Sequence, residues 1–112
     1  MKQSEIKFTV SMDVEQVPEV IEWEATDSGM DGKRPCKATL LSLWDPKDNT
    51  TLRIDLWTKE MPVDDMKRFF YENFASMADT YVRATNDEEG ARSIRKFADE
   101  FALSTGLKGE KK

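Results

Sequence analysis

Histidine is absent from this sequence, and cysteine occurs once, at Cys36. Without histidine there is no Ser–His or Cys–His nucleophile pair and no imidazole metal ligand. Many hydrolase and metalloenzyme designs are thereby excluded, while carboxylate, lysine and tyrosine chemistry stays open. One cysteine cannot form an internal disulfide, and it fits a reducing compartment. No apolar stretch approaches the roughly 20 residues of a membrane span. The opening Met1-Lys2-Gln3-Ser4-Glu5 leads straight into an alternating pattern instead of a signal peptide. The expectation is a soluble, cytoplasmic protein with no membrane span. An excess of basic charge is missing as well. Seventeen Lys and Arg face 22 Asp and Glu, for a net charge of -5, and neither half of the chain is polarised. Nucleic-acid binding wants a basic surface, so no nucleic-acid partner is expected.

What is present describes one small domain, residues 1–106, with a polar tail at 107–112. A chain of 112 residues is long enough for a core of its own. Ile6, Phe8, Val10 and Met12 alternate with polar residues, the period of a half-buried strand. After a break at Asp13 to Pro18, Ile21, Trp23 and Ala25 alternate with Glu22 and Glu24 as a second strand. Asp27 to Pro35 reads as a loop, with Gly29 and Gly32 free to take left-handed backbone. Lys37 to Trp44 is apolar on both faces, as in a central or doubly covered strand. Asp45-Pro46-Lys47-Asp48-Asn49 reads as a hairpin turn. From Thr50 to Thr58, Leu52, Ile54 and Leu56 point one way and Arg53, Asp55 and Trp57 the other.

The period then lengthens. Met66, Phe69, Phe70, Phe74, Met77, Ala78 and Tyr81 recur at spacings of three and four, which is an amphipathic helix. Asp64 and Asp65 sit where carboxylates complement its dipole. A second helix is expected to open at Asn86, with Glu89 completing a capping box. It carries Ala91, Ile94, Phe97, Ala98, Phe101 and Ala102 on one face and stops at Gly106. Four strands then two helices imply an α+β fold: a four-stranded antiparallel meander with the two C-terminal helices packed on one face.

The motifs that could carry chemistry have simpler explanations. Glu22 and Glu24 could act as paired carboxylates only if enclosed, and an alternating strand places them on a solvated face. Asp45, Asp48 and Asn49 lack the length, central glycine and terminal glutamate of a calcium loop. Gly29 to Lys33 lacks the Gly-Lys-Ser/Thr ending of a phosphate loop and precedes a strand, not a helix. Arg92, Arg95 and Lys96 are interleaved with acids, as on a salt-bridged helix face. Cys36 has no activating neighbour beyond Lys37 and reads as structural. No catalytic residue, metal ligand or cofactor is expected.

Trp57 stands apart. It lies opposite the Leu52, Ile54 and Leu56 face, where the preceding strand offers either Leu40 and Trp44 or Leu41 and Leu43. Exposed apolar patches usually mark protein interfaces, and tryptophan is enriched in binding hot spots. Trp57, Trp44 and Arg53 are therefore the candidate partner-binding residues.

The stretch Ile54-Asp55-Leu56-Trp57-Thr58-Lys59-Glu60-Met61-Pro62-Val63-Asp64-Asp65-Met66-Lys67-Arg68-Phe69-Phe70 resembles the signature region of the GldC family, small gliding-motility-associated proteins of Bacteroidetes. Glu5 to Val10, Val17-Pro18-Glu19, Trp23 to Asp27, Ala78-Asp79-Thr80 and Ala84-Thr85 extend the resemblance over nearly the whole chain. It implies a non-enzymatic accessory or adaptor role beside other gliding-machinery proteins, with a homo-oligomer as one way of using the open sheet face. Two other readings stand next to it. One is a SecB-like chaperone, similar in its order of strands and helices, and the other is a small-ligand-binding α+β domain.

Overall fold

The computed structural model describes residues 2–27, 29 and 32–107. Five strands precede two helices: β1 Ile6–Met12, β2 Pro18–Ala25, β3 Arg34–Cys36, β4 Ala38–Asp45, β5 Thr50–Trp57, α1 Val63–Thr85 and α2 Glu88–Ser104. The α+β class holds, but the single four-stranded meander does not. The strands form two antiparallel sheets, one ordered β1-β2-β3 and one of β4-β5. The short β3 was expected to be loop. Three residues are too few to show a period, and Pro35 reads as a breaker. Proline is nevertheless tolerated on an edge strand, where its missing donor disturbs no ladder. Lys37 separates β3 from β4, and the chain changes partner there: Cys36 pairs with Ile21 of β2, and Ala38 with Trp57 of β5. The chain divides into two compact units, Met1–Met61 with the sheets and Pro62–Lys112 with the helices.

In the first unit, β1 and β2 are in register so that Ile6, Phe8 and Val10 lie opposite Ala25, Trp23 and Ile21. Directly opposite residues share a face, so the alternation builds one apolar side and one polar side holding Lys7, Thr9, Glu22 and Glu24. Ile21 is the buried centre of this sheet at 1% exposure. Arg34 of β3 lies over the Trp23 ring, 5.9 Å from its centroid. Cys36 is half-buried, with its sulfur 3.4 Å from the Thr39 hydroxyl. Asp45 accepts the Lys47 amide at 3.0 Å in the β4–β5 turn, where Asn49 takes a positive φ of 52°. Turn geometry thus accounts for those oxygen-bearing residues.

The second unit is a helical hairpin closed on small residues. Ala78 of α1 and Ala91, Ala98 and Ala102 of α2 are fully buried. Beside them Phe74 is a hub, edge-to-face with Phe97 and Phe101 at 5.1 Å each and with Phe70 at 6.1 Å. Arg95 bridges to Asp79 at 3.0 Å across the pair. The cap between the helices differs from the expected one. Asn86 is the left-handed end of α1 (φ 61°, ψ 21°), and Asp87 is the N-cap of α2, its side chain accepting from the Gly90 amide at 3.0 Å. Asparagine tolerates the left-handed region, so Asn86 ends one helix instead of starting the next. The Tyr81 hydroxyl donates to the other Asp87 oxygen at 2.8 Å. At the far end Gly106 (φ 83°) donates to Leu103 O and Leu107 to Ala102 O, a Schellman stop where one was expected. The rest of the expected tail lies outside the described residues.

Candidate interaction surface

The β4–β5 ladder decides which residues accompany Trp57. Its register is Ala38–Trp57, Leu40–Asp55, Ser42–Arg53 and Trp44–Thr51, alternating with Thr39–Leu56, Leu41–Ile54, Leu43–Leu52 and Asp45–Thr50. Trp57, Trp44 and Arg53 therefore share one face, and Leu40 is on it with them, while Leu41 and Leu43 belong to the other. Trp44 is 64% and Trp57 54% exposed. They stand at opposite ends of the ladder, six residues apart along β5, or roughly 20 Å at about 3.4 Å per residue. Between them Arg53 makes a 2.9 Å ion pair with Asp55. The face is thus two aromatic ends around a charged centre, not the continuous apolar patch that the residue types suggest.

The opposite face is the more uniformly apolar. Leu43, Leu52 and Ile54 are half exposed there, and Leu41 and Leu56 are partly covered. Alternation reports which residues share a side, not which side is covered.

A second cluster joins elements distant in sequence. Asp13 begins the β1–β2 turn, and one of its carboxylate oxygens accepts the Glu15 and Val17 amides at 2.8 and 3.0 Å. Gln16 completes the turn with φ 65°. The other oxygen accepts the Lys59 ammonium at 2.9 Å, with Glu19 3.9 Å from the same group. The Lys59 backbone amide donates to Pro18 O at 3.4 Å and the Thr58 amide to Lys37 O at 2.9 Å. The ion pair and the turn amides favour the Asp13 carboxylate and hold its pKa down to about 2, while Asp13 raises that of Lys59. Met12, Asp13, Val14, Glu15, Glu19 and Lys59 line a shallow, open groove here. No sequence spacing points to this pair, because its members are 46 residues apart.

Glu22 and Glu24 lie on the polar side of the first sheet, opposite Thr9 and Lys7. Arg95 is engaged by Asp79. Among the described residues no three metal-ligating side chains gather, and no helix is long and apolar enough to cross a membrane. A family model described as gliding motility-associated protein GldC-like matches residues 18–106, which begins at β2 and runs to the stop of α2. No curated protein and no solved structure matches the chain.

Proposed function

The chain belongs to the gliding motility-associated GldC-like family, and from that premise we propose that it is a non-catalytic adaptor, binding another protein of the gliding machinery on the β4–β5 face that carries Trp44, Arg53 and Trp57. The observation that supports this reading is the shared, exposed face. Two tryptophans more than half open to solvent bracket an ion pair that fixes the direction of the Arg53 guanidinium. Tryptophan and arginine are the residue types that dominate binding hot spots, and a polar centre sets the register of a partner that covers both rings. A cytoplasmic location is part of the reading, and the single unpaired Cys36 supports it.

The test is direct binding. The purified chain is titrated calorimetrically with purified gliding proteins from the same bacterium, alongside Trp57→Ala and Trp44→Ala. For a hot spot of 2 kcal/mol or more, affinity falls by about 30-fold. Both variants stay folded, because neither ring is part of a buried core. Partner binding undiminished in both variants would remove the assignment to this face. No geometry described above favours a client-binding chaperone or a small-ligand pocket over it.

A further inference from the structure

β1 is an edge strand. β2 pairs with one of its sides, and among the described residues no strand flanks the other. Six of its seven residues are exposed. Ile6 is 69%, Phe8 41% and Met12 47% open to solvent, although all three lie on the apolar side of the sheet. Soluble proteins usually guard such an edge with proline, several charges or a covering segment. β1 has no proline and one charge, Lys7, and the one irregularity in its ladder with β2 falls at its end, between Ser11 and Met12.

We propose that β1 is a self-association edge, where a second copy of this chain adds its own β1 antiparallel and extends the three-stranded sheet across a twofold axis at Thr9. The occupant is argued from complementarity. An antiparallel pair of identical strands is twofold symmetric by construction. Centred on Thr9, the pairing uses the full strand and sets Ile6 against Met12, Lys7 against Ser11, Phe8 against Val10 and Thr9 against itself. Every apolar residue then meets an apolar one and every polar residue a polar one, so the apolar side continues unbroken into the second sheet. The one charge meets a serine, so no like charges face each other. A register shifted by one residue would place Phe8 against Thr9 and lose this match throughout. The proposal does not depend on the tryptophan face, which belongs to the other sheet. A single strand edge buries less than the roughly 1,200–2,000 Å² of a standard interface, so the dimer is concentration dependent.

Site-directed crosslinking in a Cys36→Ser background tests both the contact and its register. Directly opposed residues bring their Cα atoms to about 4.5–5.5 Å, within the span that a disulfide bridges. Thr9→Cys is expected to crosslink to its own copy under mild oxidation. Lys7→Cys alone and Ser11→Cys alone are not, because each is displaced from its copy by four residues, or about 14 Å. A mixture of Lys7→Cys with Ser11→Cys is expected to give the mixed dimer. All three positions lie on the exposed polar side, and far-UV circular dichroism confirms that the variants fold. Sedimentation of the unsubstituted chain should show dimer growing with concentration. A monomer at every concentration, or equal crosslinking at all three positions, would overturn the proposal.

Discussion

Gly90→Ala is a substitution for which helix propensity and geometry give opposite signs. Gly90 lies in the first turn of α2, and alanine is the better helix former by about 1 kcal/mol. Propensity alone therefore makes the variant more stable. The structure leaves no room for the methyl: a Cβ at this position would stand 2.5 Å from Asp87 Oδ2 and 2.6 Å from Tyr81 Cε2. Neither neighbour moves alone. The carboxylate is held by the Gly90 amide and the Tyr81 hydroxyl, which lower the Asp87 pKa, and Asp87 in turn raises that of Tyr81. Overpacking of this kind costs about 1–3 kcal/mol, so the net expectation is a loss of about 1 kcal/mol. In a chain this size that lowers the melting temperature by about 4 °C, measured by circular dichroism at the helical band. The decisive arm is the same substitution in a Tyr81→Ala background. There the ring is gone and the carboxylate can swing aside, so Gly90→Ala should become stabilising. If it stabilises the unsubstituted chain to the full extent of the propensity difference, the steric reasoning is wrong.

The Asp13 carboxyl should titrate with a midpoint near 2 instead of 3.8, read by carbon-detected NMR, and Lys59→Met should move it upward. Because the folded-state value is depressed, the stabilisation it gives is complete above about pH 4 and is lost as pH falls toward 2. Asp13→Asn should flatten denaturation midpoints across that window, and an unchanged slope would refute the link. Phe74→Ala removes the ring on which Phe70, Phe97 and Phe101 converge. For a half-buried phenylalanine the loss should be about 2–3 kcal/mol in urea unfolding, somewhat below the 3–5 of a fully buried one.

How much of this could be read in advance depends on the range of the forces involved. The alternation of Ile6 to Met12, the Asp45–Asn49 turn, the two helical stripes and the Gly106 stop are local regularities, and each appears where it was expected. The sharing of a face by Trp44 and Trp57 was one of two options until the register was known, because alternation orders residues within a strand and says nothing about its partner. The split into two sheets at Lys37 escaped for the same reason. Asn86 and Asp87 are both good caps, and a motif cannot say which takes the left-handed conformation. The Asp13–Lys59 tie was invisible because its local signals, a turn aspartate and a strand-end lysine, are commonplace. The Arg53–Asp55 pair was legible as two residues on one face but not as a break in the apolar patch.

That tie also bears on how the chain folds. Bringing Asp13 to Lys59 closes a loop of 46 residues, whereas Arg95 meets Asp79 across only 16. Closure entropy rises with the logarithm of loop length, so the longer closure costs about 1 kcal/mol more. The helical hairpin and the two β-hairpins can form from neighbouring residues within microseconds. The junction of the β1–β2 turn with the end of β5 must wait until both hairpins exist. Mutations there should therefore slow refolding more than mutations within either hairpin do, because the late, long-range closure is the slow one.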